Sequence, residues 1–548
     1  MRRLCLLTLV FSIAALLTAC GSSSSTPAPS AAPRTVTVSW VNTYWSPTGP
    51  VQVPEPDSAA VNIEALVPQS DNSITLLKAS ATSSPGVFTI SSVPAGNYWL
   101  AAGGGTFLTN TSTFDAGRDY WGGQPPVTTT PSDPTFNFNI SGIAADPNVD
   151  TFEFSTVPPS YSFSDQISPD STSLTFSQPF GSTVDWTQIQ NAFLMQYQFV
   201  TVGTLGVNVL GPELTLSNLT LTNGGPNAIS GTLNPTTVTS LDLNVSGSQW
   251  TSLLNNVGPA SATVEYSSLT LTAEPFVTGI NAYSPGGITG GIGGVGISSL
   301  SSSPGGGVEL FSTESVPPNQ SPGTLQYGDP FDSTWTRPLT YYEGATIPLP
   351  VPNSSATYNF SLVDGESVSP SNSTIVPVAL PVQNPTINGS SFFTANTADS
   401  TTPSLSWTAP TGTAPYGYRV VAYVLTTVNG APAYAPAGTY NTAGTSVTLP
   451  PLAGGNTYIF TITTEVDGAA NMQTSPFRSK LPTGFASVIS APITISASAT
   501  TPQIDGDIEE WSHLVNLQSD DRANTHSRAA AHSHCAFAGN APLRPVCE

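Results

Sequence analysis

Four histidines and two cysteines crowd the end of this chain: His513, His526, His532, His534, Cys535 and Cys547, with no histidine before residue 513. Imidazole and thiolate so close together are zinc ligands by type. The spacing of His532, His534, Cys535 and Cys547 matches no ordinary finger or ribbon, so the set reads as a tail with incidental ligands, and no metal is expected. Upstream, Asp505, Asp507, Glu509 and Glu510 offer oxygens of the calcium-loop kind, against the plainer reading of a surface turn. Asp146, Asp150 and Glu153 are carboxylates of the sort that work in pairs on glycosidic bonds. They sit in "DPNVDTFEF", which reads as a loop running into a strand, and nothing marks a pair. Without an upstream histidine the body of the chain holds no Ser-His-Asp or Cys-His arrangement. G-x-S-x-G, H-E-x-x-H and Walker patterns are also missing. No catalytic residue and no cofactor are expected: the chain reads as a non-enzyme. Tyr44-Trp45, Asp119-Tyr120-Trp121 and Tyr341-Tyr342 fall outside obvious alternation. They are where stacking on a sugar would be sought, with core or turn packing as the alternative.

The start of the chain carries a different chemistry. Arg2 and Arg3 precede an apolar run from Leu4 to Leu17, shorter than the roughly 20 residues a spanning helix needs. Leu17-Thr18-Ala19-Cys20 closes it and resembles the bacterial lipoprotein signal. That resemblance implies removal of residues 1–19, diacylglycerol on the Cys20 sulfur and acylation of the freed amine. The alternative is an ordinary signal peptide with an incidental cysteine. Gly21 follows where an aspartate would favour inner-membrane retention, so the expected place is the cell envelope, at the outer membrane, facing periplasm or exterior. Residues 20–33 read as a Ser/Pro tether too poor in apolar residues to pack.

Charged residues make up 8% of the chain, against about 25% in an ordinary soluble protein. The formal net charge of −22 leaves no basic patch to meet phosphates, which excludes nucleic acid as a partner. No Lys or Arg occurs between Arg118 and Arg337. Thr, Ser, Pro, Gly and Val dominate instead, and β-branched or apolar residues cluster between turn residues. The fold class is therefore all-β, as several sandwiches in tandem with a disordered tether and tail. Helix signals are confined to Ser248–Val257, with Ser248 as N-cap and Gly258-Pro259 as stop, and a weaker one at Asp185–Met195.

Within residues 34–120, "GVFTISSVPAGNYWLAAGG" (Gly86–Gly104) resembles the last hairpin of the carboxypeptidase-regulatory, prealbumin-like sandwich. Phe88 and Ile90, then Tyr98 and Leu100, would point inward around a turn at Pro94–Gly96. Ser58–Leu66 matches an earlier core strand of that family, while the Pro-rich stretch Trp45–Asp57 departs from its start. Residues 136–385 are β-rich without a recognised family, long enough for one large sandwich or two. Gly286–Gly307 inside them reads as a flexible link or a glycine-rich edge. Residues 401–495 resemble a fibronectin type III domain: Trp407 on its second strand, Tyr418, Val420 and Ala422 along the inner face of the third, and Tyr458 at its tyrosine corner, followed by Phe460 and Ile462.

In residues 500–548, "IDGDIEEW" is similar to the opening of family-9 and DOMON-like carbohydrate-binding modules. The chain stops well short of such a domain, and composition changes abruptly near residue 520. The tail is either genuine, with Cys535 and Cys547 free to pair, or the product of a reading-frame change or truncation. The expectation is a non-enzymatic lipoprotein held to the membrane through Cys20, presenting sandwiches for binding or adhesion to polysaccharide or an envelope protein. The alternative is a fragment of a larger carbohydrate-active or carbohydrate-binding protein.

Overall fold

A computed structural model describes residues 32–497, apart from 274–307 and short breaks between strands, together with the pair Ile504–Asp505. The described chain is all-β, its one α-helix being Gly247–Leu253. Among the described residues no helix is long and apolar enough to cross a membrane. Cys20, Gly286–Gly307, Asp146, Asp507, Glu509, Glu510 and all the histidines lie outside the described residues.

In the first sandwich, Arg34–Ser39 pairs antiparallel with Val87–Val93 and parallel with Thr113–Asp115. The facing sheet joins Ile74–Lys78, Glu64–Pro68, Tyr98–Ala102 and Gly105–Thr109 in that order. Alternation along each strand sends Val36, Val38, Phe88, Ile90, Tyr98 and Leu100 into one core. The expected hairpin is not formed: Val87–Val93 and Tyr98–Ala102 lie in opposite sheets, and Gly96 turns the chain from one to the other with φ of 115°, a conformation costly for any residue with a Cβ. Ser58–Leu66 is not one strand: Asp57–Asn62 forms a 3₁₀ turn and the strand begins at Glu64. Pro56 fixes the entry, and its carbonyl accepts the Ala59 amide at 2.9 Å. The stretch after Trp45 forms a hairpin, Val41–Ser46 with Gly49–Pro54, flanked by Asp119–Trp121 in parallel.

Residues 136–385 contain two separate cores. Phe136, Phe138, Phe152 and Phe154 share the first with Trp186, which meets Phe136 edge-on at 4.9 Å. The second gathers Tyr197, Leu243, Trp250, Leu271, Phe311 and Tyr341. The strand Ala192–Val202 serves both, sending Leu194 to the first core and Met195 to the second from its opposite faces. The helix differs from the reading of the sequence. It spans Gly247–Leu253 behind Ser246, starting two residues earlier than an N-cap at Ser248 would give, and places Trp250 4.6 Å from Tyr341 between ring centres. At Asp185–Met195 there is only a 3₁₀ turn, Trp186–Gln188, capped by the Asp185 carboxylate. The apolar and aromatic residues beyond it go into the strand.

The last sandwich sets Gln383–Ile387, Ser404–Thr408 and Ser446–Thr448 against Gly417–Val428, Ala431–Thr442, Thr457–Val466 and Thr483–Ile489. Trp407 is buried edge-on to Tyr418 at 5.1 Å, with Val420, Ala422, Phe460 and Ile462 in the same core. The Tyr458 hydroxyl donates to the Ala453 carbonyl at 3.1 Å, the bond of a tyrosine corner.

These sandwiches are not beads on a string. Gly105–Thr109 pairs in parallel with Ala431–Thr442, so the first sandwich extends the edge of the last. The hairpin Leu339–Pro350 with Thr357–Val368 joins the second middle core to the same sheet, through Gly365 opposite Phe485. Every residue of Tyr98–Ala102 is consequently buried. Tyr98, Leu100 and Ala102 enter their own core, while Trp99 and Ala101 pack into that of the last sandwich.

Candidate functional site

The junction of the first and last sandwiches is built from scarce charges and a few large side chains. Met472 and Phe477, on the loop after Thr457–Val466, are buried in the first sandwich's core. The Phe477 ring meets Phe107 edge-on at 5.4 Å, and the Arg118 guanidinium lies 4.7 Å from its centre. Arg478 donates from Nε to Asp115 at 2.9 Å, from one terminal nitrogen to Asp119 at 3.1 Å, and from the other to the Val41 carbonyl at 3.2 Å. Burial pulls the pKa of this guanidinium down, but the two carboxylates outweigh it and hold it above its ordinary value. Main-chain bonds complete the seam, among them the Asp115 amide to the Thr474 carbonyl at 2.7 Å.

A cleft of about 590 Å³ lies between the same two sandwiches. Asn97, Trp99 and Leu108 line it from the first, and Asn388, Ser404, Ser406, Ser446 and Thr448 from the last. Period-two alternation explains the lining: Leu405, Trp407 and Val447 turn into the core, so the intervening hydroxyls turn outward. The hydroxyls are ordered across the strands. Ser404 bonds Thr448 at 2.8 Å, Thr386 bonds Ser406 at 2.7 Å, and the Ser404 amide donates to Asn388 Oδ1 at 2.8 Å. Among the described residues no ionisable side chain lines the cleft. The described lining offers neutral donors and acceptors over an apolar floor.

The structure scatters the residues singled out in the sequence. Tyr341 and Tyr342 are 1% and 5% exposed, so they are no sugar platform: the first packs on Trp250 and the second near Phe485. Tyr44 is half-buried in the Val41–Ser46 strand. Asp150 is buried and accepts from Gln196 Nε2 at 2.6 Å, which binds strand to strand. The backbone of Ile504–Asp505 pairs in parallel with Ile74 and Thr75. Among the described residues no group of three or more His, Cys, Asp or Glu could hold a metal ion. Phe477, Arg478 and the outward role of Trp99 were missed. Two signals bear on them: with only 12 Lys and Arg in the chain each cation counts, and the unbroken apolar run "YWLAA" marks a strand covered on both faces.

No family model and no curated protein matches the chain. Among solved structures, the FN1–FN3 domains of chicken CNTN1 match weakly: 11% identity over 66% of this chain and 99% of that one, with a TM-score of 0.13.

Proposed function

We propose that this chain is a non-enzymatic binding protein of the cell envelope, held to a membrane by lipid on Cys20, whose cleft between the first and last sandwiches takes a neutral polysaccharide. The observation that carries the ligand class is the cleft's lining. Two amides and an ordered set of hydroxyls stand over Trp99 and Leu108 with no charge among them. A polysaccharide offers the complement, hydroxyls to exchange hydrogen bonds and C–H faces for the apolar floor. Trp99 is 2% exposed, so its edge contributes contact and not a stacking surface. The anchor rests on the basic start, the apolar run and the Leu-Thr-Ala-Cys ending at residue 20. Phe88 and Ile90 on one sheet and Tyr98 and Leu100 on the facing one, all in a single core, support reading the first sandwich as carboxypeptidase-regulatory-like, a module without catalytic residues.

Titration of neutral polysaccharides into the chain lacking residues 1–20 tests the ligand. Binding that weakens at least about tenfold in Ser406→Trp, which fills the cleft, supports the proposal. Equal binding by that variant places the ligand elsewhere.

A further inference from the structure

Directly paired residues of the hairpin Leu339–Pro350 with Thr357–Val368 share a face of the sheet. Tyr341 stands opposite Glu366, Glu343 opposite Asp364, and Ala345 opposite Leu362. Tyr341 belongs to the second middle core, Ala345 and Leu362 to the core of the last sandwich. Between the two apolar regions lies a layer of three carboxyl groups, Glu343, Asp364 and Glu366, at 3%, 1% and 2% exposure.

Each carboxyl uses one oxygen. Thr251 Oγ1 donates to Glu343 at 3.1 Å, the Ser487 amide to Asp364 at 2.9 Å, and the Val378 amide to Glu366 at 2.6 Å. The second oxygen of each is buried without a partner, as is the hydroxyl of Thr464. Every described element packed on the layer is neutral where it faces it. The helix brings Thr251, the strand Thr263–Ala273 brings Ser267 opposite Glu343, and Thr483–Ile489 brings Gly484 and Ala486. Tyr341 is a further titratable group on this face, and burial with the charge of Glu343 pushes it far up. Glu265, beside Ser267, is exposed. Arg419 and Glu465 form their ion pair on the opposite face of the sheet. No ion pair among the described residues reaches the three carboxyls.

We infer that this layer is a proton-operated lock on the junction between the second middle core and the last sandwich, closed while its carboxyls are neutral and loosened when they ionise. A neutral carboxyl supplies an O–H to the unpaired oxygen opposite it, as between Glu343 and Asp364. An ionised layer instead sets like charges together in an apolar seam with no cation among the described residues to offset them. Burial holds all three acids neutral into the range where they matter: Glu343 is raised to about 6, Asp364 to about 7, with the charge of Glu343 adding to its burial, and Glu366 to about 8.

The test is amide hydrogen exchange on the full-length chain, corrected for the intrinsic pH dependence of exchange. Between about pH 5.5 and about pH 8.5, the amides of Val378 and Ser487 lose protection by at least about tenfold, while those of Val87–Val93 do not. In the double variant Asp364→Asn, Glu366→Gln the loss disappears. Should that variant fail to fold, Glu343→Gln alone reduces the loss, since it removes one charge and leaves an oxygen for Thr251. An unchanged pH response in either variant, or equal loss at the seam and in Val87–Val93, overturns the inference.

Discussion

Phe477 belongs by sequence to the last sandwich and by packing to the first, so its truncation measures how firmly the two are joined. The ring is 2% exposed, edge-on to Phe107 and beneath Arg118. Removing it from water contributes about 1.5–3 kcal/mol, and the cavity left by Phe→Ala raises the cost to about 3–5 kcal/mol. The upper half of that range applies. A Cβ on Gly103 would lie 2.6 Å from the ring, so main chain walls the site and has little freedom to collapse into it. Phe477→Ala should therefore cost about 4 kcal/mol. With a urea m-value of about 2–3 kcal/mol/M, the unfolding midpoint of the first sandwich falls by about 1.3–2 M. Urea titration followed by far-UV circular dichroism and tryptophan fluorescence reads the change. A loss below about 1 kcal/mol, the value of a surface substitution, would refute the interlocking of the two cores.

Arg478→Met leaves Asp115 and Asp119 facing each other without their cation. Breaking a buried pair costs about 3–5 kcal/mol, and with the Arg478 side chain 24% exposed about 2–3 kcal/mol is expected by the same titration. Arg478→Lys should recover only part of it, because an ammonium cannot bridge both carboxylates with a fixed fork. Stability should fall as pH rises from about 4.5 to about 8, since the folded chain holds protons on Glu366 and Asp364 that the unfolded chain releases. The rise of Glu366 to about 8 sets an upper bound of about 5 kcal/mol on its share. A melting temperature higher at about pH 8 than at about pH 5 would contradict the sign. Cys20→Ser should move the protein from the membrane fraction to the soluble fraction, and a native mass without added lipid on Cys20 would sink the anchor.

What the sequence made legible was local. The period-two pattern of Phe88 and Ile90 places a strand whatever lies beyond it, and Trp407 and Tyr458 are spaced by the sandwich they stabilise. The unread parts depend on distant partners. Nothing near Phe477 says that its pocket lies in a sheet some 370 residues earlier, beside Phe107. The pairing of Thr106 with Tyr440 likewise leaves no mark on either strand alone. "VDGES" at Val363–Ser367 has the composition of a turn, yet it forms most of the second half of a twelve-residue strand, because two neighbouring strands satisfy its main chain. The aromatic pairs sought as platforms followed the opposite logic. Tyr341 and Tyr342 fall side by side because both faces of their strand are covered.

Calorimetric titration of a panel of neutral polysaccharides into the chain lacking residues 1–20, beside Ser406→Trp, tests the central claim most directly. The account predicts saturable binding by the parent chain, indifferent to salt because the described lining carries no charge, and its loss in the variant. A panel without binding, or equal binding by the filled cleft, would contradict it.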